Sequence, residues 1–587
     1  MLSRHESECK QGMMSRRPLL SLSTPKGSAT TTGILSRRAA TAATILAAAV
    51  LLGYVLWPTL RVFSTGLDPV ILRDMFRSVD SANTRALFNS VWISIWTVAG
   101  AGFLGTTMAW LLFRYDFPLK RTLTALAALP LALPPLVGVL AFLFLYGESG
   151  ILPRGLQVLF GLESVPFAFS GLWAVWLVHV YSMYVFFYLF CSASLKTVDQ
   201  SLLEAAADLG AGPIRSFRSV ILPHLRPSMI SAALLVFMIS MASFTAPLLF
   251  AGTENFLTLQ IYNYKMNGNL TYSAAVSVVL TLICLVFLVL IELERRSGRV
   301  STASKGSAPA PSPVRSGPGR MMALLGASAI IIFLALPVLT IILISFVKEG
   351  SWTYQVLPQA YTLENYVNLL RQADVAQPIV NSLQMAGMAS LANILFGVMT
   401  ALLIVKGHIR GRGLIRLLSV LPFAIPGTVI AINLIITFSE PSALSGGSVL
   451  VGTFWLLPLA YFIRHIPLVI RSTTAALETY DDRLTDASID LGASRWRTFR
   501  EVMLPSILPG ILAGSLLTFV TALGEFVSSI LLYVFDNRPI SVEILSQLRL
   551  YDFGAAAAYS VFLMILIGLA TWLTGRWSDQ REGTVTI

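Results

Sequence analysis

Glu525 is the one acidic residue that falls inside a long apolar run of this 587-residue chain, roughly 20 residues beyond Pro505. A lone carboxylate at membrane depth is costly and normally faces a cavity or a partner. Its chemistry there would be to meet a cationic solute or metal ion along a path; the plainer reading is a hydrogen bond to a nearby Ser or Thr. The position 282 residues earlier holds Ser243, so the two form a candidate substrate-path pair. Other reactive side chains are sparse. His179, His408 and His465 are isolated, which suits packing or interfacial roles. Cys9, Cys191 and Cys284 are far apart and show neither metal-ligand spacing nor a disulfide framework. No catalytic triad appears, and no G-x-x-x-x-G-K-[ST] phosphate loop. The chain is therefore expected to be no enzyme, to hold no metal or cofactor, and to hydrolyse no ATP itself.

The elements that must position these residues are membrane helices. Charged residues make up 12% of the chain, about half the roughly 25% of a soluble domain, and hydrophobic residues make up 55%. With a mean hydropathy of +0.73, this is an all-α polytopic membrane protein. The net charge of +12 sits in short loops between apolar runs, as the positive-inside rule requires, so no nucleic-acid partner is implied.

Residues 1–39 read as a basic, disordered cytoplasmic tail, and the apolar run after them as a retained anchor. Spans are expected at about 41–63, 89–113, 122–146, 166–190, 229–251 and 273–293. Six more follow at about 321–347, 381–405, 414–438, 449–470, 510–533 and 555–575. Repeat 1 thus covers 40–293 and repeat 2 covers 321–575; residues 294–320 form a polar cytoplasmic linker and 576–587 a cytoplasmic tail. With a cytoplasmic start, inside segments hold about 31 Lys and Arg and outside loops about 9. Six crossings per half make the repeats parallel. Asn89-Ser90 recurs as Asn381-Ser382, and Leu129-Pro130 with Pro134 recurs as Leu421-Pro422 with Pro426. Prolines four apart cannot sit in an unbroken helix. The third span of each half should therefore be kinked or broken near the centre of the bundle.

The strongest internal match is polar. Glu204-Ala-Ala-Ala-Asp-Leu-Gly210 and the residues to Leu222-Pro223 recur 282 positions later, from Asp486-Ala487 through Gly492 to Leu504-Pro505. Half the positions between 204 and 227 are identical at that offset. Gly210 and Gly492 suit a left-handed helix end, Pro213 a first helical position and Ser494 an N-cap. In the short helix that follows, Ile214, Phe217 and Ile221 share a face, as do Trp496, Phe499 and Met503. Arg215 and Arg218, with Arg497 and Arg500, rim that face, and Leu-Pro is expected to stop the helix before the next span. An aromatic knob ringed by charge, built twice, is a docking surface for two copies of one partner.

The pattern E-A-A-x3-G-x9-I-x-L-P resembles the cytoplasmic motif of permease subunits of bacterial binding-protein-dependent ABC importers. The first copy departs only at Val220; the second departs at Asp486, Ser488 and Val502. The resemblance covers about 170–260 and 450–550 well, and the other spans loosely. It implies a type I importer permease-like fold of about twelve helices. It also implies that each short helix is a coupling helix seated in a groove of a separate ABC ATPase subunit. The docking residues it implies are Glu204, Ala205, Gly210, Arg215, Phe217, Arg218, Leu222 and Pro223 in one copy. In the other they are Asp486, Ala487, Gly492, Trp496, Arg497, Phe499, Arg500, Leu504 and Pro505. Implied partners are two ATPase subunits, which use the ATP, an extracytoplasmic substrate-binding protein, and the lipid bilayer of a bacterial inner membrane. Leu444-Ser445-Gly446-Gly447-Ser448 imitates the ATPase signature but reads as a turn on the outer side. Two repeats in one chain resemble the fused ferric-iron permeases, as does Ser243-Phe244-Thr245-Ala246-Pro247. Ferric iron is the first candidate substrate; 2-aminoethylphosphonate, thiamine and polyamines remain alternatives by the same mechanism. An ion-driven secondary transporter is the alternative class, but it calls for several intramembrane carboxylates or histidines and leaves the repeated block unused.

Overall fold

A computed structural model describes residues 37–297, 312–313, 317–352, 355–407 and 411–582. The 1–39 tail, His408, Cys9 and most of the 294–320 linker lie outside the described residues. The linker's ends are helical, since the flanking helices run on to Ser297 and begin again at Gly317.

Ten helices are long and apolar enough to cross a membrane. In the first half they are Arg38–Gly66, Ala82–Arg114, Pro135–Phe160, Leu172–Leu195, Ile214–Met241 and Leu270–Glu294. In the second they are Gly317–Ile344, Ala373–Val405, Arg495–Leu523 and Phe553–Thr574. The remaining two spans of that half are a bent pair, Arg412–Ala424 with Gly427–Phe438, and Leu456–Thr479, whose apolar run is interrupted by Arg464, His465 and Arg471. The expected twelve-helix, two-repeat architecture is thus present, with two of its members disguised.

The paired prolines do break the third span of each half. A residue before proline is pushed out of the helical region. Leu133 and Ile425 accordingly take ψ of 129° and 118° ahead of Pro134 and Pro426. A 12-residue half-helix then restarts on each side, Pro135–Tyr146 and Gly427–Phe438, the second bent by 109° from the helix before it. The two halves are wrapped into one body. The first span of each half packs on the broken third span of the other. Asn433 Nδ2 donates to Thr59 Oγ1 at 3.1 Å across that contact. The 443–448 segment is a short 3-10 turn with Gly446 and Gly447 left-handed (φ 63° and 81°), and Tyr54 of the first span donates to Leu444 O at 2.7 Å.

Second and fourth spans cross tightly at equivalent glycines. A Cβ on Gly105 would lie 2.3 Å from the Tyr184 carbonyl oxygen; on Gly397 it would meet the Val469 side chain at 2.8 Å. Backbone cannot yield as a side chain can, and overpacking costs about 1–3 kcal/mol. Gly105→Val is therefore expected to lower the thermal midpoint of the purified chain clearly more than Gly397→Val, read by intrinsic fluorescence; equal shifts would contradict the crossing geometry.

Candidate functional site

Each repeated block folds as an elbow. A short helix, Gln200–Asp208 or Asp482–Asp490, is capped by Asp199 or Asp481, whose carboxylate accepts from the backbone two residues on at 3.0 Å. Gly210 (φ 77°) and Gly492 (φ 86°) end it, and the next amide reaches back five residues, Ala211 to Ala206 O (2.9 Å) and Ala493 to Ser488 O (3.1 Å). That left-handed step reverses the chain at no steric cost for glycine. A second helix begins at Pro213 or, capped by the Ser494 hydroxyl, at Arg495.

Two expectations change here. Leu222-Pro223 and Leu504-Pro505 do not stop that second helix. It runs on into the fifth span of its half through a wider turn, Phe217–Ile221 or Phe499–Met503, closed by Leu222 N–H to Phe217 O and Leu504 N–H to Phe499 O. The extra residue in the turn accommodates a proline that has no N–H and would crowd the preceding carbonyl. Each elbow is thus rigidly continuous with a membrane helix. The supposed single apolar face also splits. Ile221 and Met503 are buried, and half-buried Phe217 stacks on Trp110 at 4.9 Å. Leu209, Ile214, Leu491 and Trp496 point outward, 86%, 69%, 90% and 69% exposed. The protruding knob is therefore Leu209 with Ile214, and Leu491 with Trp496, while Phe217 and Phe499 anchor it from behind. Glu204, Ala205, Asp486 and Ala487 are exposed, and so are Arg215, Arg218, Arg497 and Arg500 around the knob. Arg497 Nε pairs with Glu501 at 2.9 Å.

Where the fifth spans leave the elbows and approach the opposite end of the bundle, both stop short. The helices end at Met241 and Leu523, not at the expected 251 and 533. Glu525 therefore lies just past a helix, in a turn, and it is not alone. Its Oε2 lies 2.8 Å from Arg464 Nε, while Oε1 accepts from Ser528 N–H (3.0 Å) and Ser528 Oγ (3.2 Å). Ser243 Oγ lies 2.8 Å from His179 Nε2, and His179 Nδ1 is 3.2 Å from Ser240 Oγ. His465 Nδ1 donates to Tyr461 O at 2.8 Å. Glu525, Ser243, Arg464, His179 and His465 all line one cavity of about 460 Å³ between the halves, bounded by the proline breaks of both third spans. Phe244 and Phe526, equivalent residues in the two repeats, meet there with ring centroids 6.0 Å apart, each 1% exposed. Lying beyond the ends of the fifth spans, they close the cavity on the side away from the elbows.

The repeated Asn-Ser pair has a structural task that its spacing did not reveal. Asn89 donates to Asn255 O (3.2 Å) and Asn381 to Arg538 O (3.1 Å); Ser90 Oγ accepts from Leu257 N–H (3.1 Å) and Ser382 Oγ from Ile540 N–H (2.8 Å). These bonds hold the starts of two ten-residue helices, Leu257–Met266 and Ile540–Arg549. Thr258 and Ser541 in turn donate to the carbonyls of Ser243 and Glu525 (2.7 and 2.8 Å). Arg464 was also missed; a lone basic residue inside a predicted span was the available signal. Among the described residues no group of three or more His, Cys, Asp or Glu could hold a metal ion. Cys191 and Cys284 are buried and unpaired.

The family described as binding-protein-dependent transport system inner membrane component matches residues 101–297 and 393–581, together more than half of the chain and once in each repeat. A probable ABC transporter permease of Sinorhizobium fredii is 28% identical over 90% of this chain and 94% of its own. A ferric transport system permease of Actinobacillus pleuropneumoniae is 26% identical over 76% of this chain and 65% of its own. A spermidine/putrescine transport system permease of Haemophilus influenzae is 30% identical over 41% of this chain but 87% of its own, so most of that protein corresponds to less than half of this one.

Proposed function

Because the chain belongs to the family of binding-protein-dependent transport system inner membrane components, we propose that it carries both membrane halves of an ATP-driven importer, with ferric iron as the cargo. The pathway is the cavity between the halves, with Glu525 and Ser243 among its lining groups. Two ABC ATPase subunits grip the elbows from the cytoplasm, one on the Leu209–Ile214 knob and one on the Leu491–Trp496 knob. A separate extracytoplasmic protein delivers the cargo to the opposite end. The chain sits in a bacterial inner membrane with both termini cytoplasmic.

The observation that carries this reading is the pair of equivalent exposed knobs, each on a helix continuous with a span that ends at the cavity. A force on an elbow displaces the span as a unit, because the turn that joins them is fully hydrogen-bonded. Nucleotide-driven closure of the ATPases then shifts the halves between two arrangements, by as much as the partner's differential affinity for them allows. Iron as cargo is supported by the ferric permease relative. In proteoliposomes holding the chain with its ATPase partner and binding protein, radiolabelled ferric iron should accumulate only when ATP is supplied. Accumulation of spermidine or thiamine instead would replace iron with that cargo and leave the importer mechanism intact.

A further inference from the structure

The cavity is electrically lopsided. Arg464 and Glu525 are its charged lining residues apart from the histidines, and both belong to the second half; the equivalent positions in the first half are the neutral Ser182 and Ser243. The two charges are not equally available. Glu525 is 6% exposed, and both its oxygens are engaged, by Arg464 and by Ser528. Arg464 is 29% exposed and uses only its Nε. A guanidinium has five N–H donors in one plane, and among the described residues Arg464 has no other protein partner. Its terminal nitrogens are left to the cavity. Gly427 keeps them in place: a Cβ there would fall 1.9 Å from Arg464 Nη1. Gly427 also opens one of the two half-helices that restart beside the cavity, the other being Pro135–Tyr146. Helix starts carry partial positive charge, which adds to that of Arg464.

We infer that Arg464 is a cargo-contacting residue, oriented by Glu525, and that the cavity takes a solute presenting an oxyanion. A carboxylate or phosphate-type oxygen matches the planar fork of a guanidinium, whereas a bare cation would meet the Arg464 charge with Glu525 already neutralised. This rests on the importer reading and narrows it: iron would pass as an anion-bearing complex and not as a naked ion.

The test uses the full complex of chain, ATPase partner and binding protein in proteoliposomes, with three labelled probes: ferric iron supplied with phosphate, 2-aminoethylphosphonate, and spermidine. Wild type should take up one of the first two, and which one identifies the source of the oxyanion. Arg464→Gln should lower that uptake about 10- to 100-fold, the worth of a hydrogen bond to a charged group, while ATP hydrolysis stimulated by the binding protein persists. Arg464→Lys, which keeps the charge but loses the fork, should fall between, and it serves if the Gln variant fails to assemble. Glu525→Gln should cost less, and the double variant should stay as low as Arg464→Gln. Recovery of uptake in the double variant would mark the pair as structural and overturn the inference. Spermidine as the carried probe would overturn it while the importer reading stands. Uptake of none of the three would overturn both the iron reading and this one.

Discussion

A chain carrying both Ile214→Asp and Trp496→Asp is expected to insert and fold normally yet lose its ATPase partner. Both side chains are 69% exposed, so neither change disturbs packing within the chain. Each sits at the tip of an elbow, beside Leu209 or Leu491 and within a rim of arginines. Truncating such an anchor costs about 2–4 kcal/mol of binding, and a buried unpaired carboxylate adds to that. Two anchors lost should weaken capture by at least about 100-fold. The check is co-purification of the tagged ATPase in detergent, alongside size-exclusion behaviour of the chain. A contrast sharpens it. Ile221→Asp and Met503→Asp lie on the same helices but face inward, 2% and 0% exposed, so they should cost folding and not only binding. Undiminished capture by the outward double variant would remove the elbows as handles.

The second large effect is expected from Phe244→Ala combined with Phe526→Ala. Each ring is 1% exposed and the pair meets across the two halves. Removing a buried phenylalanine costs about 3–5 kcal/mol, and an aromatic pair adds about 0.5–1.5. At this position the loss falls on the closure of the cavity as well as on stability. The double variant should melt at a lower temperature and should let a small trapped solute escape from proteoliposomes in the absence of ATP. Replacing both rings with leucine keeps most of the apolar bulk and should restore the seal. A tight vesicle with the double alanine variant would mean that closure lies elsewhere.

The sequence carries the architecture because it was written twice. Equivalent prolines at 130, 134, 422 and 426 locate both breaks, and Gly210 with Gly492 locates both reversals, since each is a backbone constraint that one residue type imposes alone. The helix beyond the elbow was harder. Leu-Pro reads as a stop when only i→i−4 bonding is considered, and a one-residue wider turn that admits the proline leaves no mark in periodicity. The division of the knob follows from the same turn, which rotates Phe217 and Ile221 inward against the body while Ile214 stays out. Glu525 looked solitary because its partner, Arg464, lies some sixty residues earlier in a different span, and pairing across that distance is a property of packing. Leu456–Thr479 was legible as a span by length, although its basic residues depress its hydropathy. Those same residues place a charge in the cavity, so the feature that weakened the span signal is the one that points to cargo chemistry.

The most direct measurement of the coupling claim is a distance between the elbows during turnover. Ser219 and Glu501 are equivalent exposed positions on the two wide turns. Spin labels at Ser219→Cys and Glu501→Cys, with the three native cysteines replaced, report that distance in reconstituted complexes. ATP should shift the distance distribution when the ATPase partner is present and leave it unchanged when the chain is alone. A distribution that stays fixed while ATP is hydrolysed and cargo accumulates would contradict the account.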